Sequence, residues 1–321
     1  MTSNLQETRA PANPLEAGTV LLVMRLGMLG NKRKVRTGVN GEVEVTPLDR
    51  DPGMPGGDMP DQNAITVAKE LLDSLELKNI QAFQNEVRAY VRGRALPNYH
   101  MLKGSVHRLP VALVPEVDAH LLESTAMQNR LVEEFVNVLP QRMREARTRL
   151  GALFNPADYP GAEEARAAFR MQFRYLSTDV PAILGMISSG MMTRERAKAV
   201  AEVAAESDEI RLAMRQQFAE LIQHATDRLS PDADGKKKTL RESVVTNLEG
   251  FFELFQQRNV LQDRELAALV ERARQTMQGI KADDLRKGET LRASIASAFN
   301  NIKAEMDRGL MLAPPRRIVM D

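Results

Sequence analysis

The chain has 321 residues, a formal net charge of +1 and no cysteine. This length allows one large domain or two ordinary ones, at roughly 100–200 residues each, and a core that needs no cross-links. The composition excludes disulfides, thiolate nucleophiles and Cys-ligated zinc, and the balanced charge excludes a general attraction for nucleic acid.

The N-terminal third of the sequence predicts a small α+β part. Residues 1–17, rich in Ala, Pro, Asn and Glu, predict a flexible lead-in before a small α+β domain over residues 18–115. Within this domain, Thr19–Leu26 is a short apolar, β-prone run, and Glu42–Thr46 alternates polar and apolar residues like a half-buried strand. A hairpin or small sheet would account for both segments.

Two further segments belong to this predicted domain. Helical spacing of apolar residues extends from about Asn63 to Arg94, with a break near Leu77 to Asn79. The short apolar run Val111–Pro115, which follows Pro110, favours an edge strand or an extended lip of the small sheet.

A helical domain is predicted over residues 116–311. Its first helix covers Glu116–Val138, is interrupted or kinked at Pro140, and continues as an Arg-rich helix. The two-proline turn Phe154–Pro160 ends that helix, and another helix is predicted from Gly161 to Leu176.

Four apolar stripes with helical spacing follow Thr193 and predict long amphipathic helices. They consist of Val200, Val203, Ala204, Ile210, Met214, Phe218, Leu221, Ala225 and Leu229; Leu240, Val244, Leu248, Phe251, Phe252 and Phe255; Leu266, Leu269, Val270, Ala273, Met277 and Ile280; and Leu291, Ile295, Phe299, Ile302, Met306 and Leu310. Thr193, Asp263 and Asp283 are the predicted N-caps, and Ser230–Gly235 is the predicted end of the first helix.

These elements predict a mainly α fold, in which a small α+β N-terminal part is followed by a long-helix bundle or array. Short connections between long helices favour antiparallel neighbours. Burial in the protein's own core explains the stripes more simply than a partner-binding groove does. The alternating charges on the first long helix leave a protruding coiled coil as the alternative.

Three short motifs carry a resemblance to a known family. They are Gly30-Asn31-Lys32-Arg33-Lys34, Phe154–Pro160, and Arg174-Tyr175-Leu176-Ser177 with Val180-Pro181. In this order, over most of the chain, they resemble an uncharacterised family of phage and plasmid proteins, often encoded near MoxR-type AAA+ ATPases and von Willebrand-type proteins. Similar proteins often carry a tryptophan near the early basic run, which this chain lacks. The resemblance implies a mobile-element origin and partnership with an AAA+ ATPase, but supplies no activity.

The sequence contains no recognisable catalytic, nucleotide-binding or metal-binding signature. Gly235-Lys236-Lys237 lacks the spacing of a phosphate-binding loop, and Asp232–Gly235 is followed by lysines where a calcium loop has oxygen ligands. The four histidines are His100, His107, His120 and His224, and no two of them lie at positions i and i+4. These observations predict a non-enzymatic protein that uses no cofactor.

Three basic clusters are the candidate nucleic-acid-binding residues. They are Lys32, Arg33, Lys34 and Arg36 in the predicted hairpin, Lys236, Lys237, Lys238 and Arg241 between two helices, and Arg316 and Arg317 in a predicted extended tail at 312–321. Each cluster can neutralise phosphates, and binding of that kind falls with salt. The opposing interpretation is that short charge runs usually mark solvated turns. An aromatic content of 4% also weakens base stacking.

The sequence therefore predicts a phage-type accessory or assembly protein that acts by helix-mediated self-association or by docking on a protein partner. The alternative is a nucleic-acid-binding accessory protein of replication or recombination. No stretch reaches the ~20 apolar residues of a membrane helix, and the N-terminus lacks the apolar core of a secretion signal. These features favour a cytoplasmic location without membrane association, in the host cell if the protein is phage-encoded.

Overall fold

Long helices dominate the computed structural model, which describes residues 13–35, 67–97, 105–177, 180, 183–232 and 234–311. The fold is mainly α, with a small antiparallel sheet region near the N-terminus followed by long helices, as the sequence predicts. The predicted strand Glu42–Thr46, His100 and the predicted tail lie outside the described residues.

The described residues form helices and strands that follow in chain order. They are α1 Pro14–Gly18, β1 Thr19–Leu26, β2 Lys32–Val35, β3 Val67–Glu70, α2 Leu75–Arg94, β4 Val106–Pro110, α3 Val114–Leu150, α4 Ala162–Ala168, β5 Met171–Leu176, α5 Ile183–Ile187, α6 Ser189–Leu229, α7 Glu242–Arg258, α8 Arg264–Met277, α9 Ala282–Lys287 and α10 Glu289–Met311. With 37 and 41 residues, α3 and α6 are about 55 Å and about 62 Å long, at roughly 1.5 Å per residue.

The chain forms two compact units that are interleaved in sequence. The first unit comprises residues 1–23, 91–117 and 174–321, and the second comprises residues 24–90 and 118–173. The predicted domains are instead consecutive, because helical and strand periods identify elements but not the long-range contacts that group them. At the end of the predicted lead-in, Pro14–Gly18 form α1, in which Leu15 is fully buried.

Strand β1 is the central strand of a three-stranded sheet with the order β4-β1-β5. Consecutive side chains from Leu21 to Met24 are buried, so both faces of β1 are covered and its apolar run is unbroken. Strand β4 pairs antiparallel with β1 and ends at Pro110. One edge strand of the sheet is therefore β4, which ends before the run Val111–Pro115 for which the sequence predicts this role. That run forms a 3-10 turn and the start of α3, where Pro115 is tolerated because first-turn amides need no helical acceptor.

Strands β2 and β3 form a separate two-stranded antiparallel sheet, with Lys32 opposite Glu70 and Val35 opposite Val67. Strand β3 lies within the predicted helix Asn63–Arg94, so that prediction is wrong for residues 67–74. A few apolar residues fit either period when the segment is short.

Helix α2 begins at Leu75, where the Ser74 hydroxyl accepts a hydrogen bond from the Leu77 amide at 3.2 Å. This contact satisfies one of the free amides of the first turn. The predicted break at Leu77–Asn79 is also wrong, since α2 is continuous to Arg94.

The core of the first unit is built from the apolar stripes of its long helices, and α10 packs mainly on α6. All six residues of the stripe predicted for α7 are buried. Phe218 of α6 and Phe299 of α10 are fully buried, and the Phe218 ring stacks on Phe251 of α7 with centroids 5.5 Å apart. The predicted burial of these stripes in the protein's own core is confirmed over most of their length.

Two of the predicted N-caps are wrong. Helix α6 begins at Ser189, because the Ser188 hydroxyl accepts from the Met191 amide at 3.3 Å; Thr193 lies inside the helix. Asp283 lies in the first turn of α9, whose N-cap position is Lys281. Hydroxyls and carboxylates occur throughout these first turns, so residue type alone does not select the capping residue.

The other predicted helix boundaries of the first unit are confirmed. The Asp263 carboxylate accepts from the Leu266 amide at 3.0 Å and caps α8. Helix α6 ends at Leu229, with Ser230 at its C-cap, ahead of the predicted proline and glycine turn.

The second unit packs α3 and α4 against residues at the start of α2. Helix α3 passes through Pro140 as one element, and its Phe135 ring meets Phe169 edge-on at 5.7 Å. The predicted helix Gly161–Leu176 is wrong after Ala168, where the chain turns and forms β5. Side chains of β5 alternate between half-buried and exposed, which is the period of a strand.

Candidate interaction surfaces

We term residues 183–202, which comprise α5 and the first part of α6, the arm. Among its described side chains none is buried, and the first buried residue of α6 is Val203. Four large apolar side chains are exposed instead: Ile183 at 56%, Met186 at 84%, Ile187 at 66% and Val200 at 71%. Exposed apolar groups in one segment are typical of a contact surface.

Val200 was placed on the buried stripe by its helical spacing, and that prediction is wrong. Its spacing to Val203 and Ala204 continues the apolar pattern, but the packing that buries α6 starts only at Val203. The predicted burial of Ala204 is also wrong, since this residue is exposed. Periodicity thus identified most of the apolar face of α6 and could not show where its intramolecular partner ends.

Charges along the start of α6 change sign. Arg194, Arg196 and Lys198 occupy the second and third turns together with Glu195, whose carboxylate lies 2.9 Å from the Lys198 ammonium. Glu202 and Asp208 follow. The first turn contains no acidic residue, so Arg194 lies near the positive end of the helix dipole without an acid ahead of it. An acidic neighbour beside this part of the helix would therefore be favourable.

The first basic cluster lies on β2 in the second unit. Lys32, Arg33 and Lys34 are exposed, and none of them forms an ion pair with a carboxylate in the described part of the chain. Because side chains alternate along a strand, Lys32 and Lys34 share one face and Arg33 occupies the other. Arg36 lies outside the described residues.

The second basic cluster lies in the turn between α6 and α7, in the first unit. A carboxylate oxygen of Asp232 accepts from the backbone amides of Asp234 and Lys236 at 3.0 and 2.7 Å. Backbone amides of the turn thus occupy the carboxylate of Asp232, the first acid of the sequence that was compared with a calcium loop. This turn and β2 belong to different units.

The side chains of this second cluster differ in exposure. Lys236, Lys237 and Arg241 are exposed, whereas Lys238 is half-buried. The Lys237 ammonium lies 3.7 Å from the Glu289 carboxylate, which offsets part of its charge. Arg316 and Arg317, the third cluster, lie outside the described residues.

Behind the turn, Arg292 of α10 is a buried guanidinium that the apolar pattern did not identify. It is 5% exposed and donates to the backbone carbonyls of Leu229 and Lys238 at 2.7 and 2.8 Å, and to that of Arg228. Within the described residues it forms no ion pair. It instead satisfies carbonyls at the end of α6 and in the turn that follows.

Arg108 of β4 and Glu206 of α6 form a buried ion pair between residues 98 positions apart. The Arg108 Nε and Nη2 atoms donate to the two carboxylate oxygens at 2.6 and 2.7 Å, and the two side chains are 7% and 5% exposed. Arg108 Nη1 also donates to the Thr19 hydroxyl at 3.0 Å. Glu206 interrupts the predicted apolar stripe of α6, and this interruption is the sequence signal that could have identified it.

Two other buried cationic or titratable groups occur in the first unit. Burial, and to a smaller extent the charge of Arg92, holds the pKa of His107 below its usual value, and His107 Nδ1 has no hydrogen-bond partner among the residues that the structure describes. Arg258 donates to the Gln217 side chain at 3.0 Å, and burial lowers its pKa to about 10. The described residues contain no group of three or more His, Asp or Glu side chains able to hold a metal ion.

A cleft of about 670 Å³ lies between α7 and α8. Its charged lining includes Glu271 and Arg274, which form an ion pair at 2.8 Å. Hydrogen bonds from Arg274 and then Gln275 hold the pKa of Glu271 below its usual range. A carboxylate kept ionised in this way is poorly suited to donate a proton, so Glu271 does not suit general acid catalysis.

Every helix in the described part of the chain is too short or too polar to span a lipid bilayer. Comparison of the chain with protein-family models, with curated proteins and with solved structures finds no match. The resemblance to phage and plasmid proteins, and the partnership that it implies, therefore stay predictions.

Proposed function

We propose that this protein is a non-enzymatic assembly or accessory protein that associates with a second copy of itself through the arm. The exposure of Met186, Ile187 and Val200 is the observation that supports this proposal. Apolar surface left in water costs roughly 25 cal/mol per Å², so covering these side chains in a dimer is favourable.

The charges of α6 support a second copy as the occupant. Two arms placed antiparallel about a twofold axis near Val200 bring Arg194 and Lys198 of one copy toward Glu202 and Asp208 of the other. Lys198 and Asp208 pair with Glu195 and Arg211 of their own helix, so in the dimer they would extend these pairs into a network across the interface. The same arrangement opposes the two helix dipoles. A parallel arrangement would instead place like charges side by side.

Substituting Val200 and Met186 with glutamate is expected to convert a dimer into a monomer. Each substitution places a charge on an apolar contact, so the dissociation constant should rise by about tenfold or more. Size-exclusion chromatography with multi-angle light scattering, at protein concentrations up to roughly 100 µM, measures the mass of each variant.

The control is His224→Glu, which changes an exposed residue of the same helix beyond the arm and should leave the mass unchanged.

A charge exchange tests the antiparallel arrangement. Arg194→Glu with Lys198→Glu should weaken self-association, and mixing this variant with Glu202→Lys and Asp208→Lys should restore a heterodimer. A wild-type chain that stays monomeric throughout the concentration range contradicts the proposal and leaves docking on a different protein as the use of the arm.

Nucleic-acid binding in replication or recombination is the second proposed function, because three adjacent exposed cations on β2 lack carboxylate partners among the described residues. Cations that are free of intramolecular partners can replace the counterions of a phosphate backbone. The division of these side chains between two strand faces limits how many can meet one backbone at once.

Changing Lys32, Arg33 and Lys34 together to glutamate is expected to weaken DNA binding by about tenfold or more and to flatten its dependence on salt. Fluorescence anisotropy with a labelled duplex, between about 50 and about 200 mM salt, measures both effects. Arg130→Glu, an exposed change on α3 in the same unit, is the control. Equal binding by the triple variant and the wild type would remove β2 from the proposed site.

A further inference from the structure

An apolar groove of about 570 Å³ lies in the second unit, between α3 and the segment 154–162 that follows it. Leu139, Pro140 and Met143 line it from one stripe of α3. Phe154, Pro156 and Tyr159 line it from the segment, and the rings of Phe154 and Tyr159 stack with centroids 5.0 Å apart. The Phe154–Pro160 motif lies outside the arm, and most of its large side chains form one wall of this groove.

Polar contacts fix the segment in place. The Lys69 ammonium lies 2.8 Å from the Asp158 carboxylate and donates to the Leu153 carbonyl at 2.6 Å. The Tyr159 hydroxyl donates to the Leu71 carbonyl at 3.1 Å. Because these contacts hold the segment, the groove is formed in the free protein, and a ligand need not order it on binding.

Four arginines lie in the last turns of α3, and two of them serve the fold. Arg142 donates to Glu76 at 3.0 Å, and this bond, followed by one from Ser74, lowers the pKa of Glu76 to about 2. Arg149 donates to two backbone carbonyls between β3 and α2 at 2.9 and 3.1 Å. Both guanidinium groups thus have partners within the fold.

The other two, Arg144 and Arg147, line the groove. Both are exposed, and neither forms an ion pair with a carboxylate anywhere in the described ranges. Their spacing of three residues places them on one side of α3, and each guanidinium offers a planar set of donors that fits a carboxylate. The groove therefore combines an apolar surface with two adjacent cations.

We propose that this groove binds a short acidic peptide segment of a partner protein. An apolar side chain of the peptide would lie against Pro140, Met143 and Phe154, while its carboxylates would bind Arg144 and Arg147. The mostly apolar lining favours a peptide over a nucleic-acid strand, whose regularly spaced phosphates need more than two cations. The site lies in the second unit and does not depend on self-association through the arm.

The test selects peptides from a displayed library of random sequences about twelve residues long, with the full chain as the target. The enriched sequences are expected to combine a large apolar residue with two acidic residues within about one helical turn. Synthetic fluorescein-labelled copies should bind in fluorescence polarisation, and replacing their carboxylates with amides should raise the dissociation constant about tenfold or more.

Matched variants of the chain locate the binding site. Arg144→Glu with Arg147→Glu should weaken peptide binding about tenfold or more, and Arg144→Gln with Arg147→Gln should weaken it less. Arg130→Glu, an exposed change on α3 outside the groove, should leave binding intact. Thermal melts of all variants separate a binding defect from a folding defect.

Four results would overturn the proposal. Three of them are a library without enriched sequences, enriched peptides that bind without acidic residues, and peptide binding that both arginine variants retain. Displacement of the peptide by a single-stranded oligonucleotide, lost in the same variants, would also overturn it and would assign the arginines to nucleic acid.

Discussion

Glu206→Gln is expected to lower the free energy of unfolding of the first unit by about 3–5 kcal/mol. The substitution keeps the shape of the side chain but removes the charge that faces Arg108, whose guanidinium is 7% exposed. A buried cation without its anion loses the attraction that offset its removal from water. Urea denaturation followed by far-ultraviolet circular dichroism measures the loss as a shift of the midpoint.

Two comparisons separate the ion pair from the side-chain volume. Glu220→Gln removes an exposed carboxylate from the same helix outside the arm and should change stability by less than about 0.5 kcal/mol. Arg108→Met combined with Glu206→Leu removes both charges and should restore most of the lost stability, because no buried charge remains unpaired. A loss below about 1 kcal/mol for Glu206→Gln would show that water reaches the pair.

The long helices of the first unit were predictable because their apolar stripes extend over several turns. Leu240 to Phe255 repeat with helical spacing, and every predicted member of that stripe is buried. Many residues must agree before such a pattern arises by chance, so the helix period is well determined. The end of α6 was equally clear, since Pro231 and Gly235 both oppose continuation of a helix.

The short strands were not predictable in the same way. Strand β3 has four residues and β5 has six, too few to distinguish a strand from part of a helix by spacing alone. Both gain their backbone partners from strands distant in sequence: β3 pairs with β2, and β5 lies beside β1. Local propensity carries no information about such partners, and for the same reason it did not reveal the interleaved units.

The candidate residues also differ in whether local sequence or distant contacts reveal them. Charged residues such as Lys32 and Lys236 were visible in the sequence because they occur in runs, and the structure places both on exposed surfaces. Arg108 and Arg292 are single charges beside apolar residues, and their burial depends on distant acceptors. The exposed arm was also hidden, because Val200 belongs to a valid apolar pattern whose intramolecular partner happens to stop at Val203.

Arg292→Met is expected to lower the free energy of unfolding of the first unit by about 3–5 kcal/mol. Methionine fills a similar volume but has no donor, so the carbonyls of Arg228, Leu229 and Lys238 lose their shared partner. Each buried acceptor that is left unsatisfied costs about 1–3 kcal/mol, less whatever water recovers at the edge of the turn. Urea denaturation measures the total, and hydrogen exchange of residues 228–240 shows whether the loss is local.

The choice of control decides what this result means. Arg308→Met removes another arginine of α10 that donates to a backbone carbonyl, but Arg308 is exposed, so its loss should cost less than about 0.5 kcal/mol. Arg292→Lys keeps the charge but lacks the planar guanidinium group. Its loss in the free energy of unfolding should lie between those of Arg292→Met and Arg308→Met. If Arg292→Met were no worse than Arg308→Met, the turn carrying Lys236 and Lys237 would not depend on the guanidinium beneath it. If it costs the expected amount and speeds exchange in the turn, the cations of that turn are positioned by a buried hydrogen-bond centre rather than displayed on a loose loop.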